Sequence, residues 1–368
     1  MAQAKRFAIF LPDMIGAGAQ RVMLNLANGM AARNFAIDLV LVQAKGPYLE
    51  HVSKSVRIID LKAPRVLASL PALVHYLRHE RPWAMLSGLG SANCVALWAR
   101  QLAGSNTRLV ISEHNTLSIH AERPPNWRAR QMPRLARYFY SWADAIIAVS
   151  KGVAEDLAAV ARIPRQRIQV IYNPVITPEM RAKAALPLVH AWFQPDQPPV
   201  ILGIGRLTQQ KDFATLIEAF ALVRSTRRVR LVILGDGEER QRLEALVQQL
   251  EIDHDVWMPG FVENPYAFMT QTDLFVLSSK WEGLPTVLIE ALYCGSKLVA
   301  TDCPSGPREI LANGKYGKLV PVGDTAALAQ AIEHTLLSEA PKPCSESWSA
   351  FELETVLDQY LQVLLDSH

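Results

Sequence analysis

The sequence predicts an α/β protein made of two doubly wound, Rossmann-like domains, and three observations carry that prediction. Short apolar runs alternate with helical stretches along the chain, the pattern of parallel sheets covered by helices on both faces. The alternation is broken between Asn173 and Pro199, where Pro174, Pro178, Pro187, Pro195, Pro198 and Pro199 crowd together. Finally, 368 residues exceed what one core usually organises and suit two domains of about 150–200 residues.

In the first half the expected strands are Phe7–Leu11, Ile37–Val42, Met85–Ser87, Leu109–Ser112, Ala145–Val149 and Ile168–Ile171. Ala19–Met30, Ala92–Ala103 and Asn126–Tyr140 read as helices, the last kinked or restarted at Pro133. In the second half Val200–Gly205, Arg230–Leu234, Val256–Pro259, Leu274–Leu277, Leu298–Thr301 and Lys318–Val320 read as strands. Asp212–Arg224, Glu238–Leu250, Pro285–Tyr293, Thr325–Leu337 and Ala350–Leu365 read as helices. The expected organisation is a first domain at 1–175, a linker at 176–198, a second domain at 199–345, and a final helix in 346–368 that is free to return to the first domain.

Half the residues are apolar and a fifth charged, the composition of a globular enzyme. No apolar run approaches the ~18–20 residues that span a bilayer. Met1 to Leu11 is too short an apolar stretch for a signal peptide. Cys94, Cys294, Cys303 and Cys344 form no C-x-x-C pair and no metal-ligand spacing, so neither disulfides nor a metal are expected and the cytoplasm is the expected compartment. The net charge of +3 hides an asymmetry: residues 1–185 carry 24 Lys/Arg against 11 Asp/Glu, and residues 186–368 carry 14 against 24. A split of this size suggests a partner-facing basic half. Nucleic acid is not the expected partner, because no recognition helix, RNA-binding aromatic motif or zinc module is present.

The most informative stretch is Glu282-Gly283-Leu284-Pro285-Thr-Val-Leu-Ile-Glu290. Pro285 suits a first helical position, which puts Glu282 on the loop before a helix and Glu290 about five residues in, roughly 7–8 Å along the axis. The helix start between them offers free N–H groups and a positive dipole end to a diphosphate. Either carboxylate suits a vicinal diol, since it accepts two hydrogen bonds. A second stretch, Gly203-Ile-Gly205-Arg206-Leu-Thr-Gln-Gln-Lys211-Asp212, leaves a strand at its carboxyl end, the ligand edge of an open α/β sheet. Arg206 and Lys211 could neutralise a departing diphosphate there, and Asp212 suits the helix N-cap.

The loop Gly16-Ala-Gly18-Ala-Gln-Arg21 allows the backbone to approach a phosphate. It is not a dinucleotide fingerprint, because Arg21 stands at the third glycine and Asp38 does not end a strand. Gly235-Asp-Gly237 is a further strand–turn–helix pair. His114 follows the strand Leu109–Ser112 and is either a structural histidine or a cleft residue; Glu113 should point to the opposite face.

Taken with Pro259-Gly-Phe261 and Pro304-Ser-Gly-Pro-Arg-Glu-Ile310, these pieces resemble glycosyltransferase family 4 over nearly the whole chain, most specifically from 200 to 325. The resemblance implies the GT-B fold, with two Rossmann-like domains facing across a cleft, and a retaining transfer, by front-face internal return, from a nucleotide-diphosphate sugar (a UDP-sugar above all). It implies that Arg206 and Lys211 hold the donor diphosphate, Glu290 the ribose and Glu282 the transferred sugar. Gly16 and Gly18 would approach the diphosphate and acceptor, His114 a sugar hydroxyl, and the backbone at Phe261–Val262 the base. No metal or other cofactor is implied. Gln20 stands where many members have Glu. The Pro304–Ile310 stretch is similar to bacterial members that extend lipid-linked oligosaccharides, which makes a polyprenyl-diphosphate-linked or glycan acceptor and a hexose or N-acetylhexosamine the expected substrates.

Two rivals remain. A nucleotide-sugar 2-epimerase of the same fold would release UDP without an acceptor, and a catalytically silent envelope-assembly scaffold need not keep Arg206, Lys211, Glu282 and Glu290. The segment Ala121–Tyr140 interleaves Arg123, Arg128, Arg130, Arg134 and Arg137 with Trp127, Met132, Leu135, Tyr138 and Phe139. That mixture suits an interfacial helix on anionic lipid, so a peripheral place on the inner face of the cytoplasmic membrane is expected; the alternative is an ordinary amphipathic helix on the core.

Overall fold

The structure is a computed structural model and describes residues 5–15, 18–122, 129–339 and 344–366. The chain divides into two units, one of Met1–Pro174 with Phe351–His368 and one of Val175–Ala350.

The N-terminal unit runs β1 (Arg6–Leu11), α1 (Gly18–Ala32), β2 (Ala36–Leu41), β3 (Val56–Asp60), α2 (Leu70–Glu80), β4 (Ala84–Gly88), α3 (Gly90–Ala103), β5 (Arg108–Glu113), α4 (Leu117–Glu122), α5 (Met132–Phe139), β6 (Ala145–Ala148), α6 (Lys151–Ala161) and β7 (Ile168–Val170). Its parallel sheet has the order β3-β2-β1-β4-β5-β6-β7. The central strands are buried along nearly their whole length because helices cover both faces, which is why they read as continuous apolar runs. Strand β3 escaped the sequence reading because it is an edge strand in which only Val56 is buried. The expected helix Asn126–Tyr140 is described only from Ala129. There a short 3₁₀ turn leads into α5, with Pro133 in its first turn, so the helix restarts at the proline.

Asp38, in the middle of β2, is fully buried and holds together the sheet's open end. Its carboxylate accepts from Arg6 at 2.7 Å, from Arg57 at 2.6 and 2.8 Å, and from the Tyr76 hydroxyl at 2.6 Å. Burial alone would raise its pKa, but the bonds from Arg57, Tyr76 and Arg6 hold it below the usual carboxylate range. Asp38 is therefore a structural anion.

The C-terminal unit runs α7 (Pro178–Ala184), β8 (Val200–Ile204), α8 (Phe213–Thr226), β9 (Arg230–Leu234), α9 (Arg240–Gln249), β10 (Val256–Gly260), α10 (Pro265–Gln271), β11 (Leu274–Leu277), α11 (Thr286–Cys294), β12 (Lys297–Thr301), α12 (Pro307–Ile310), β13 (Lys318–Val320) and α13 (Thr325–Leu337). Its parallel sheet is ordered β10-β9-β8-β11-β12-β13. The segment read as a linker at 176–198 belongs to this unit. Thr177 caps α7 by accepting from the Met180 N–H, and Asn264 Nδ2 donates to the Lys183 carbonyl at 3.0 Å. His190 stacks on Trp257 with ring centroids 4.1 Å apart. The prolines break the periodicity there without freeing the chain.

The last helix, α14 (Leu353–Leu365), packs in the first unit. Val356, Leu357, Tyr360, Leu361, Val363 and Leu364 are buried in the core built on β1, β2 and α1. A Cβ on Gly29 of α1 would come within 2.5 Å of a Leu357 methyl, so a glycine is what permits this approach. Arg33 pairs with Glu354 and Asp358 at its rim. No helix among the described residues is long and apolar enough to cross a membrane.

Candidate active site

In both sheets the strand order reverses between the first and fourth strands, β1/β4 and β8/β11, and the carboxyl ends beside such a reversal form the ligand edge of an open α/β sheet. In the C-terminal unit the loops leaving β8 and β11 meet at this edge. The Lys280 N–H donates to the Gln210 carbonyl at 2.8 Å, Gln210 Nε2 donates to the Trp281 carbonyl at 2.9 Å, and the Ser278 hydroxyl donates to the Lys211 carbonyl at 2.8 Å. Across this seam Lys211 Nζ lies 2.6 Å from Glu282 Oε1, which also accepts from the Ser279 hydroxyl at 2.7 Å. Glu282 is buried, and its loop is held from the end of β12, where Thr301 donates to the Ser279 carbonyl, and from the loop that follows, where Ser305 donates to that of Gly283.

Gly235 closes the other side of the β8 loop. It has a positive φ of 130°, and a Cβ there would fall 2.0 Å from the Gly205 carbonyl, which no side chain tolerates. This close approach lets Gly205 N–H donate to Leu234 and Leu207 N–H to Asp236. Arg206 lies exposed on the loop so fixed, and Phe261, after β10, is 81% exposed.

Pro285 sits one place ahead of its expected position. Its backbone is extended, and α11 begins at Thr286, so Glu290 is the fifth residue of the helix and is buried. Asp212 stands at the N-cap of α8 but in the left-handed region, and its side chain caps nothing. Its carboxylate accepts instead from the Thr215 hydroxyl at 2.7 Å and pairs with Lys280 Nζ at 3.0 Å. A pocket of about 300 Å³ opens nearby, between Thr208, Asp212, Lys280, Glu239 and Arg242. It does not include Lys211 or Glu282, and the seam between the loops defines the site better.

In the N-terminal unit the edge is built differently. Gly18 opens α1, exposed, with space where a Cβ would stand; Gly16 lies outside the described residues. Asp13 Oδ1, on the loop after β1, accepts from the Ile15 N–H and from Gln20 Nε2 at 3.2 Å. His114 follows β5 and is buried; its Nε2 lies 3.1 Å from the Ser112 hydroxyl, which is 3.4 Å from that of Tyr360 on α14. Burial pushes the His114 imidazole down to about 4, so it is neutral at pH 7 and serves as a hydrogen-bonding group. Glu113 points to the opposite face, toward Tyr140. Among the described residues no three His, Cys, Asp or Glu side chains cluster as a metal site.

Residues 16–178 match glycosyltransferase family 4, and residues 190–349 match glycosyl transferases group 1. The chain belongs to glycosyltransferase family 4. This glycosyltransferase is 29% identical, over 90% of both chains, to N-acetylgalactosamine-N,N'-diacetylbacillosaminyl-diphospho-undecaprenol 4-alpha-N-acetylgalactosaminyltransferase of Campylobacter jejuni. It is 27% identical to the lipopolysaccharide core biosynthesis glycosyltransferase LpsE of Rhizobium meliloti, over 94% of this chain and 95% of that one. Among solved structures, Anabaena HepE in complex with UDP matches with a TM-score of 0.77 at 20% identity, covering 98% of this chain and 99% of that one. The lipopolysaccharide outer core galactosyltransferase WaaB matches with a TM-score of 0.75 at 20% identity and the same coverage. The fold of the glycosyltransferase is GT-B.

Of the residues singled out from the sequence, Lys211 and Glu282 are brought into direct contact, Arg206 lies on the same loop as Lys211, and Glu290 lies in α11, the helix that follows Glu282. His114 and Gly18 belong to the N-terminal unit. Sequence reasoning missed Ser279, Gln210 and Lys280, which fix the seam, and Asn93 and Tyr140, which brace the end of β5. Ser279, three residues before Glu282, had a local signal. Tyr140 is 27 positions from Glu113 and had none.

Proposed function

We propose that this glycosyltransferase moves a hexose or N-acetylhexosamine, with retention of configuration, from a nucleotide-diphosphate sugar, UDP-linked in the first instance, to a lipid-linked or glycan acceptor in cell-envelope polysaccharide assembly. The observation that carries the donor half is the Lys211–Glu282 contact on the loop before α11, with Glu290 buried four residues into the helix from Thr286. Lys211 Nζ has three donors, so it can keep Glu282 and still hold a phosphate oxygen. Arg206, exposed on the same loop, supplies the second cation, and the N–H groups opening α11 supply a positive dipole end. Charge gathered on the departing diphosphate is thus neutralised by side chains, and no metal is required of the mechanism.

On this reading Glu290 takes the ribose, and Glu282, both of whose contacts fall on Oε1, takes a sugar hydroxyl through Oε2. The backbone at Phe261–Val262 lies against the base. Gly18, and His114 as a neutral hydrogen-bonding group, are assigned to the substrates by the family resemblance alone. A front-face internal return fits a site in which no carboxylate is assigned as a covalent nucleophile. The UDP complex of HepE supports the donor, and the diphospho-undecaprenol acceptor in the name of the C. jejuni relative supports the acceptor class. The exposed Arg130, Arg134, Arg137 and Tyr138 of the α5 region support a peripheral place on an anionic membrane, whereas Ala136 and Tyr140 are buried and Phe139 packs against Trp98 and Trp142. Arg123, Trp127 and Arg128 of that segment lie outside the described residues.

A screen of UDP-, GDP- and dTDP-sugars with polyprenyl-diphosphate-linked saccharides tests the reading. Nucleotide release that depends on acceptor is the expected result. Release without acceptor would point to the epimerase, and no release with any pair would point to the scaffold.

A further inference from the structure

The end of β5 contains a buried acid that the transfer reaction does not use. Glu113 is 1% exposed. Its Oε1 accepts the backbone N–H of His114 at 3.2 Å, and the Asn115 N–H donates to the same carboxylate. Its Oε2 accepts the Tyr140 hydroxyl at 2.9 Å. Asn93 of α3 completes the brace, with Nδ2 donating to the Ser112 carbonyl at 3.0 Å and reaching the Tyr140 oxygen at 3.4 Å. The turn that carries His114 out of the strand is therefore closed by one carboxylate, anchored from the segment after α5.

The chemistry of the choice is informative. Among the described residues, the other titratable groups that bear on Glu113 are Cys94 of α3, Tyr140 and Asp156 of α6, together with the neutral His114 on its own turn, and none of these is a cation. A buried carboxylate without a counter-charge is costly, and an amide would satisfy Tyr140 and one N–H at less expense. Only an ionised carboxylate accepts from all three donors at once without offering a proton of its own.

We propose that Glu113 is the positioning residue for His114: its carboxylate grips the His114–Asn115 turn, and the grip weakens when that carboxyl takes up a proton. The proposal rests on the reading of His114 as a substrate-contacting group. Burial, together with the charge of Asp156, raises the Glu113 carboxyl to about 7 against the opposing hydrogen bonds from Tyr140, His114 and Asn115. The switch therefore lies near neutral pH, with the grip formed on the alkaline side.

The experiment compares wild type, Glu113→Gln and Glu113→Ala in the holo-length chain. Turnover of wild type should show an acid limb with a midpoint near 7 that is missing in Glu113→Gln, whose charge does not change with pH. At pH 8, Glu113→Ala should lose ~10–100-fold in kcat, the usual consequence of a catalytic group displaced by about 1 Å, with UDP affinity within about twofold of wild type. Glu113→Gln should recover most of that loss. In ¹⁵N-histidine-labelled protein without donor, the His114 amide should titrate with the same midpoint in wild type and stay flat in Glu113→Gln. An unchanged acid limb in Glu113→Gln, a flat His114 amide in wild type, or full turnover of Glu113→Ala would overturn the proposal. If Glu113→Ala does not fold, Glu113→Gln alone decides through the pH profile and the amide. If wild type uses no donor at all, the proposed function falls while the amide titration still decides the role of Glu113.

Discussion

The N-terminal and C-terminal units place their candidate residues on the same edge of the same kind of sheet, yet hold them by opposite electrostatics. In the C-terminal unit the groups are charged and paired at the loop seam: Lys211 with Glu282, and Lys280 with Asp212. In the N-terminal unit they are buried and held near neutrality, with Glu113 raised to about 7 and His114 lowered to about 4. The difference teaches that a strand order sets where a ligand edge lies, while the loops decide its chemistry. A charged seam suits the recognition of a diphosphate; a dry, neutral edge suits hydrogen-bonding to sugar hydroxyls.

The largest expected effect concerns what each unit needs in order to fold. The N-terminal unit completes its core with α14, from the far end of the chain, and six of that helix's apolar side chains are buried. At roughly 1.5–3 kcal/mol each, their burial is worth on the order of 10 kcal/mol, comparable to the whole stability of a domain. A chain ending at residue 350 should show only the C-terminal transition in calorimetry, with UDP binding retained. Two cooperative transitions in the shortened chain would erase this contrast between the units.

The charged seam gives the next effect. Arg206→Ala and Lys211→Ala should each lower turnover by roughly 10²-fold or more, about 3 kcal/mol at the leaving group. Glu290→Ala should weaken titrated UDP, while Glu282→Ala should spare UDP affinity and damage turnover. Equal loss of UDP affinity in the two glutamate variants would reject that division of labour.

The buried pair predicts a pH signature in the N-terminal unit. Glu113 is raised on folding, so its contribution to stability is present below pH 4.5 and is lost as pH rises through about 7. His114 is lowered on folding, so its contribution is present above pH 6.5 and is lost as pH falls through about 4. The two nearly cancel between these limits in wild type. Glu113→Gln should leave a protein that weakens toward pH 4, and His114→Asn one that weakens toward pH 8, each by about 2–3 kcal/mol. Urea melts at a series of pH values measure this, and parallel curves for both variants would show that the two groups do not titrate as assigned.

The smallest expected effect at physiological salt, where screening weakens exposed charges, is at the surface of the N-terminal unit. Each basic residue near an anionic surface contributes about 1 kcal/mol. Changing Arg130, Arg134 and Arg137 to Ser should therefore weaken cosedimentation with phosphatidylserine vesicles at low salt. Vesicle binding that survives the triple change would place the basic surface elsewhere.

Much of this architecture was legible in the amino-acid sequence, because parallel strands buried on both faces must be apolar throughout and the helices between them must repeat every three or four residues. The run 274–277 with its following E-x7-E element, and the run 200–205 with Arg206 and Lys211 after it, were readable for that reason. The edge strand 56–60 was not, since only Val56 is buried and Arg57 serves Asp38 and Glu80. The prolines between 174 and 199 suggested a linker between domains, yet α7 and His190 pack into the C-terminal unit, because proline limits the backbone without saying what the side chains touch. Tertiary structure alone decided that Lys211 Nζ donates to Glu282 Oε1 across 71 positions. It also decided that α14 is part of the first core, and that Tyr140, 27 positions away, donates to Glu113. Each of these depends on long-range burial and distance, which local sequence pattern does not encode.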